Sequence, residues 1–314
     1  MTNTLVTTRK RETSSGVVPA RPRFAVIFNP VAGSPHRRRA LALAVRALRK
    51  AGCRVKLRAT TAAGDAARSA AIIAKAGTFD AILVAGGDGT LSETAHGLAT
   101  ADAARLPALA FLPLGTANVM AHEIGLPTDP EKAAAIAARL RTIDMKLAQA
   151  NGRHFILMAG AGFDAHVVRH VDSAVKKRWG KLAYVAEMVR QLGKFPFGRY
   201  RVTIDGVEHD AASVVASRSR RYGGKFVLAP DADLKAPTLQ VCLFGKGGRA
   251  GVLLYAVALG LGLLPRAPGF EIVTGRRITV RGMDGEPVQV DGDSIASLPL
   301  AIAMTDKSLR LVVP

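Results

Sequence analysis

The feature that most constrains the fold is a regular alternation of short apolar runs and amphipathic segments between residues 24 and 113. Helical periodicity predicts helices at residues 36–51 and 65–76, and a third that begins after residue 86 and ends at about residue 99. Apolar runs of strand length separate them, at residues 24–29, 53–60, 80–86 and 108–113. This alternation predicts βαβ units, and therefore an α/β fold with a parallel, doubly wound sheet.

The pattern changes after about residue 144. Short strand-like runs with turn residues between them predict a second, mainly antiparallel β domain. A helical stretch at residues 176–192 interrupts it, and residues 250–264 are a further helix candidate. We expect a tail at residues 1–22, an α/β domain at residues 23–144 and a β-rich domain at residues 145–305. A last strand, at about residues 306–314, can return to the first domain.

The net charge narrows the choice of partners. Lysine and arginine total 44 against 24 aspartate and glutamate residues, a formal charge of +20. Such an excess favours nucleic acid, anionic membrane surfaces or nucleotides. Nucleic acid is the weakest of these, because there is no helix-turn-helix or zinc-finger pattern and only 5% of residues are aromatic. Cys53 and Cys242 are too few and too far apart for a disulfide framework, which favours a reducing compartment.

Membrane-spanning and secreted classes are disfavoured. No stretch reaches the roughly 18 uninterrupted apolar residues of a spanning helix, and glycines interrupt the longest run, residues 252–265. The basic first residues are not followed by the apolar segment of a secretory signal. We expect a cytoplasmic protein.

Three glycine-bearing loops follow predicted strands, at residues 29–34, 86–90 and 113–118. The carboxyl ends of parallel strands share one sheet edge, where glycines let backbone N–H groups approach an anion and helix starts add positive potential. The loops therefore predict a phosphate site. Side chains that can add hydrogen bonds to the phosphate are those of Ser34, Thr90, Thr116 and Asn118. The alternative is that these glycines only turn the chain.

Two other phosphate motifs carry less weight. The pattern G-x-x-x-x-G-K-[ST] is absent, so the chain is not a P-loop nucleotidase. Residues 160–165 match G-x-G-x-x-A after a strand, but no convincing βαβ unit with a ribose-binding acid follows.

Asp88 lies inside the second loop, where a carboxylate would repel a phosphate. A bridging cation removes that conflict, and so does a role as proton acceptor; both belong to phosphoryl transfer. The alternative is a helix cap contributing about 1 kcal/mol.

The loops Gly-Gly-Asp-Gly-Thr and Pro-Leu-Gly-Thr-Ala-Asn occur together with an early Asn-Pro-x-Ala-Gly turn and a later Gly-x-Gly-Phe-Asp-Ala segment. In this combination the chain resembles the diacylglycerol kinase catalytic family, which includes soluble bacterial lipid kinases and, more distantly, sphingosine and ceramide kinases. The resemblance extends from Phe24 to Pro314. NAD kinases share a Gly-Gly-Asp-Gly loop and a similar two-domain plan, but the third loop, with Asn118, resembles the lipid kinases.

The resemblance implies a nucleotide site in the first domain and a lipid-substrate role for the second. A threonine before a Gly-Asp-Ala helix start contacts ATP in the family, which implies Thr60. Together with the loops, the expected ATP-binding residues are Asn29, Pro30, Gly33, Thr60, Gly86, Gly87, Asp88, Gly89, Thr90, Thr116 and Asn118. Mg²⁺ is expected to accompany ATP at Asp88.

The resemblance also implies the catalytic acid. Near the C-terminus the family carries Asp-Gly-Glu, whose last acid accepts the proton of the lipid hydroxyl, whereas this chain reads Asp291-Gly292-Asp293. We therefore expect Asp293, helped by Asp291, to accept the proton. A bare turn is the alternative for both residues.

A second departure concerns a structural metal. The family often reads A-P-x-A-x-x-D-D-G, with an aspartate that helps to hold Mg²⁺, whereas Lys235 and Ala236 occupy the acidic pair here. We expect no structural Mg²⁺, and Lys235 can supply positive charge instead. By analogy Asp164 lies near the cleft, where it can bind a lipid head group or make a structural hydrogen bond. His166 and His170 have metal-ligand spacing, but a solvated helix face is the favoured interpretation.

A lipid kinase must reach an anionic membrane surface, here the inner face of the membrane. Candidate contacts are three basic clusters, at residues 37–39, 176–178 and 218–221. Residues 252–264 can form an interfacial helix, the wall of an acyl-chain pocket or a core helix.

The expected activity is transfer of phosphate from Mg²⁺-ATP to a lipid hydroxyl, most simply that of diacylglycerol or a related glycerolipid. Sphingoid-base kinase, NAD kinase and a catalytically silent nucleotide- or membrane-binding protein are the alternatives. The sequence leaves the oligomeric state open, a homodimer included.

Overall fold

The computed structural model of the chain describes residues 21–30, 35–170 and 188–314. The first part alternates strands and helices, in the order β1 (Arg23–Phe28), α1 (Pro35–Lys50), β2 (Arg54–Ala59), α2 (Asp65–Ala76), β3 (Ala81–Gly86), α3 (Asp88–Thr100), β4 (Ala108–Pro113), α4 (Val119–Ile124) and α5 (Pro130–Arg139). These bounds follow the sequence periodicity closely, because β1, β3 and β4 are buried while the helices keep one polar face. Strand β2, at the edge of the sheet, is largely exposed.

The second part is mainly β structure. Its elements are β5 (Thr142–Ala150), β6 (Arg153–Phe155), β7 (Met158–Ala161), α6 (Phe163–His170), β8 (Tyr200–Ile204), β9 (Val207–Ala211), β10 (Ser213–Ser217), β11 (Arg221–Tyr222), β12 (Phe226–Val227), β13 (Leu239–Phe244), α7 (Gly248–Gly260), a 3₁₀ turn (Leu264–Arg266), β14 (Phe270–Gly275), β15 (Arg277–Arg281), β16 (Pro287–Val290), β17 (Asp293–Ser297) and β18 (Leu300–Val312). Most of the helix expected at residues 176–192 lies outside the described residues, as does the basic cluster at residues 176–178.

The first sheet runs through both parts of the chain. Its order is β2-β1-β3-β4-β18-β15-β8-β9, and β5 pairs with β18 and β6. Strands β1 to β4 are parallel, and β18 lies parallel to β4, with Leu311 opposite Leu109. The C-terminal strand therefore pairs with the parallel strands of the first part of the chain. The domain boundary near residue 144 stays a prediction.

The second sheet has the order β14-β13-β10-β7-β16-β17, and all its pairings are antiparallel. It packs against the β-rich half of the first sheet through a buried apolar layer, formed by Phe155, Val202 and Ile278 from one side and by Val214 and Val241 from the other. The expected α/β fold with a second antiparallel β domain is confirmed.

Candidate active site

The second and third glycine loops are in backbone contact. The Leu114 N–H donates to the carbonyl oxygen of Gly86 over 2.8 Å. A Cβ on Gly115 would lie 2.6 Å from the Cα of Gly87, closer than any side chain tolerates. Glycine is thus required at residue 115 by the approach of two loops at the carboxyl ends of β3 and β4, where the sequence predicted that they meet.

Asp88 joins these loops to the following helix. Its carboxylate accepts hydrogen bonds from the backbone N–H groups of Val119, at 3.0 Å, and Met120, at 3.1 Å, which open α4. Burial raises the pKa of Asp88, and these hydrogen bonds oppose the rise. This arrangement favours the capping alternative over the metal role, but the capped helix is α4 and not α3, which begins with Asp88 itself.

Asn118 closes the third loop upon itself. Its side-chain oxygen accepts from the Gly115 N–H at 2.9 Å, and its amide donates to the Gly115 carbonyl at 3.0 Å. A left-handed backbone at Asn118, with φ 48°, allows this turn. The exposed Thr116 lies on the outer side of the same loop. Of these two residues, Thr116 is therefore the one placed to meet a ligand.

The first loop lies beside the end of β2. The Thr60 hydroxyl donates to the carbonyl of Phe28 over 3.3 Å, which puts Thr60 next to the exposed Asn29 and Pro30. Gly33 and Ser34 lie outside the described residues. The structure thus brings Thr60 and the start of this loop together, as the resemblance implied.

A cleft of about 550 Å³ opens between the third loop and the start of α1. Its walls include Leu114 and Gly115 on one side, and Arg37 and Arg39 on the other. The sequence had suggested these arginines as membrane contacts. The structure places Arg37 and Arg39 across the cleft from the third loop, and their membrane contact stays a prediction.

Asp291 joins the β-rich half to α3. Its buried carboxylate accepts from the Ser92 hydroxyl at 2.6 Å and from three backbone N–H groups at 2.8–3.0 Å, those of Ile156, Leu157 and Met158. Burial raises its pKa, which the four hydrogen bonds oppose. With every one of these donors directed at it, Asp291 acts as a positioning residue.

Asp293 differs from Asp291 in both exposure and surroundings. Its side chain is 43% exposed, and Nη2 of Arg153 lies 4.0 Å from one carboxylate oxygen. A Cβ built on Gly89 would lie 3.6 Å from that same oxygen. The structure therefore brings an accessible carboxylate from the far end of the chain to the loop at residues 86–90.

Asp164 lies in the first turn of α6 and accepts a hydrogen bond from the Tyr222 hydroxyl. Burial raises its pKa, while Tyr222 and the Gln289 side chain lower it. Gln289 also accepts from the Gly292 N–H at 3.0 Å. Asp164 therefore makes a structural hydrogen bond to Tyr222, the alternative that the sequence offered, and the Gln289 side chain lies near both this carboxylate and the Asp-Gly-Asp turn.

Sequence reasoning missed Glu123, whose buried carboxylate binds the segment after β10. It accepts from the Ser219 hydroxyl at 2.9 Å and from Nε of Arg220 at 2.9 Å. The expectation that residues 218–221 face a membrane is wrong for Arg218, which is 1% exposed. The sequence signal for Glu123 was an acid among mainly apolar residues after the third loop.

Metal ligands are sparse in the described part of the chain. No three His, Cys, Asp or Glu side chains there are grouped closely enough to hold an ion. His166 contacts the Gln191 side chain through Nε2, and His170 contacts the His166 carbonyl through Nδ1. This histidine pair is engaged within the protein.

Comparison with known proteins agrees with this geometry. Residues 23–150 match the diacylglycerol kinase catalytic domain, and residues 158–313 match the YegS C-terminal NAD kinase beta sandwich-like domain. A diacylglycerol kinase of Bacillus subtilis (strain 168) is 29% identical over 93% of this chain and 96% of its own length. A "probable lipid kinase YegS-like" protein of Stenotrophomonas maltophilia is 32% identical over 90% and 96%.

The fold is also found among solved structures. A crystal structure of a diacylglycerol kinase from Bacillus anthracis superposes with a TM-score of 0.75, at 24% identity, over 93% of this chain and 97% of that one. The resemblance read from the motifs is thus confirmed across both halves of the molecule. The chain belongs to the diacylglycerol kinase family of lipid kinases, with a YegS-type C-terminal domain.

Proposed function

We propose that this chain transfers the γ-phosphate of Mg²⁺-ATP to the hydroxyl of diacylglycerol or a related glycerolipid. The observation that carries the proposal is the pairing of Asp293 with Gly89. It sets a solvent-accessible carboxylate beside a phosphate-type loop, as a hydroxyl phosphorylation requires.

The nucleotide would occupy the cleft beside the third loop. Leu114 and Gly115 line this cleft with backbone groups, and Arg37 and Arg39 line it with guanidinium groups that can bind phosphate oxygens. Mg²⁺ bound to ATP neutralises charge on the transferred phosphate. Since hydrogen bonds already occupy the Asp88 carboxylate, its part is to hold the second and third loops in register around the phosphates.

Asp293 would serve as the general base. As the lipid oxygen bonds to the γ-phosphorus, the bond from that phosphorus to the β,γ-bridging oxygen breaks and ADP leaves. The hydroxyl proton passes to the Asp293 carboxylate and then to solvent. Nη2 of Arg153 lies 4.0 Å from one oxygen of that carboxylate, so a positive charge faces the proton acceptor. Asp164 borders this region through Gln289 and is the candidate contact for the lipid head group.

The acceptor lipid is reached from a membrane surface, and α7 is suited to that contact. Tyr255 and Ala258 bury one face of the helix. The opposite face carries the exposed apolar side chains of Leu253 and Val257, 58% and 57% accessible, and the 68% accessible Leu261 directly follows the helix. Exposed apolar residues next to basic ones favour the interface of an anionic bilayer, so we place the enzyme at the inner, cytoplasmic face.

The decisive experiment is transfer of labelled phosphate from Mg²⁺-ATP to diacylglycerol, monoacylglycerol, sphingosine and ceramide in mixed micelles, with NAD as a soluble acceptor. We expect a labelled glycerolipid. Asp293→Asn should lower kcat at least about 100-fold with little change in ATP affinity, and Asp293→Glu should keep activity within about tenfold.

Each other result has a definite meaning. If only sphingosine or only NAD is labelled, that compound and not a glycerolipid is the acceptor. ATP binding without labelling of any acceptor would support the silent homologue. Full activity of Asp293→Asn would remove the general-base role.

A further inference from the structure

Arg218 is the largest fully buried side chain in the described residues, at 1% exposure. It follows β10, and its guanidinium donates to three backbone carbonyls of one segment: Ala236 at 2.8 Å, Thr238 at 3.0 Å, and Leu234. Among the described residues no carboxylate lies within 4.0 Å of it as an ion-pair partner. The burial lowers its pKa to about 10, which still leaves it charged at neutral pH.

A buried cation surrounded by carbonyl oxygens is the arrangement in which proteins hold hard metal ions. Here the cation is covalently part of the chain. The Leu234 carbonyl also accepts from the Lys146 N–H at 2.9 Å, and Nη1 of Arg218 lies 3.5 Å from the Met304 sulfur. The guanidinium therefore lies where residues 229–238, β5 and β18 meet.

A structural Mg²⁺ of the kind that the family resemblance implied does not fit this segment. Lys235 and Ala236 replace the acidic pair, and the carbonyls that face inward already accept from Arg218. Lys235 does not supply the missing charge, as the sequence had suggested, because its side chain is exposed to solvent. The buried charge comes from Arg218.

We infer that the Arg218 guanidinium replaces a structural metal ion and fixes residues 229–238 without any divalent cation. The inference concerns the fold of this segment and does not rest on the lipid kinase activity. It implies that the only divalent ion needed for turnover is the one bound to the nucleotide.

The first test is thermal unfolding of the full chain without nucleotide, in excess EDTA and in millimolar Mg²⁺ or Ca²⁺. Because no site for these ions would exist in the folded state, the melting temperature should agree within about 1 °C in all three. A decrease of several degrees in EDTA would overturn the inference. This measurement uses the unmodified protein, so it does not depend on whether a variant folds.

The second test removes the guanidinium. Arg218→Ala removes the guanidinium donor of the Ala236 and Thr238 carbonyls and one of the two donors to the Leu234 carbonyl, so the melting temperature should fall by about 4 °C or more. Lys225→Ala, which removes an exposed cation from the same stretch, should change it by less than about 1 °C. Arg218→Lys, with a cation but fewer donors, should lie between.

Hydrogen exchange locates the effect. Amides of residues 229–238 should lose protection in Arg218→Ala before those of β1 and β3 do, and should keep it in Lys225→Ala. Unchanged protection and stability in Arg218→Ala would show that the guanidinium does not hold the segment.

Discussion

At the scale of single residues, the Asp-Gly-Asp turn divides two tasks between two carboxylates. Asp291, with φ 51°, points into the protein and collects four donors, whereas Asp293 points toward Gly89 and solvent. The motif could be found in the sequence, but this division could not. The donors to Asp291 come from Ser92 and from residues 156–158, far away along the chain.

The first prediction concerns Asp291. Asp291→Asn replaces one acceptor oxygen with an NH₂ group that faces existing donors, so the free energy of unfolding should fall by about 2–4 kcal/mol. Denaturant unfolding measures this. Asp293→Asn, two residues away and accessible, should change it by less than about 0.5 kcal/mol. Equal losses in the two variants would contradict the positioning role of Asp291.

At the scale of elements, helix and strand bounds were largely predictable because periodicity reports burial locally. What periodicity does not report is how closely two elements approach. Helices α2 and α3 touch at Gly97, where a Cβ would lie 2.1 Å from the Ala67 carbonyl oxygen. The sequence shows only a glycine inside a helix, which by itself predicts a weaker helix and not a tight contact.

The second prediction tests that contact. Gly97→Ala should destabilise the protein by about 2–3 kcal/mol, because the helices must separate to admit one methyl group. Gly260→Ala, in α7 with no atom within 4 Å of the added Cβ, is the matched control and should be neutral or slightly stabilising. Thermal unfolding of both variants distinguishes packing from helix propensity.

The third prediction concerns the contact of α3 with β6. The His154 N–H donates to Nδ1 of His96 at 3.2 Å, so that nitrogen must be unprotonated. Burial first, then Arg153, lowers the pKa of His96, and burial, then His96 and Lys307, lowers that of His154. As the pH falls through 6.5, these histidines therefore bind protons in the unfolded chain before they do so in the folded protein, and this difference favours unfolding.

The free energy of unfolding should accordingly decrease as the pH is lowered from about 7.5 to about 5.5. His96→Asn keeps an acceptor without a titrating ring, and should reduce this dependence. Melting temperatures of both proteins across the range measure it. If the melting temperature changes with pH equally in both proteins, His96 is not a source of the pH dependence.

At the scale of the whole molecule, the two halves share one sheet, and no helix in the described part of the chain is long and apolar enough to cross a bilayer. Of residues 252–264, those up to Gly260 belong to α7, which has one buried face and one exposed apolar face. The sequence could not choose between the alternatives for this segment, because the helix is apolar all round and gives little amphipathic signal.

The fourth prediction tests the membrane contact. Leu253→Asp with Val257→Asp should weaken binding to anionic vesicles at least about tenfold, by removing apolar contact and adding negative charge. Ile72→Asp, equally exposed on α2, should leave binding unchanged. Phosphorylation of a short-chain, water-soluble diacylglycerol should be similar in all three proteins. Loss of that activity too would mean that the helix serves the reaction and not the membrane.

The pairing of β18 with β4 has a consequence for biosynthesis. Leu109 leaves the ribosome roughly 200 residues before its partner Leu311, an interval of about 10–40 s at ordinary synthesis rates. During that time one edge of the nascent parallel sheet has no neighbour, although its helices can already pack. The second and third glycine loops, at the ends of β3 and β4, therefore reach their final support only after translation has passed the second domain. The first half expressed alone should aggregate through that open edge.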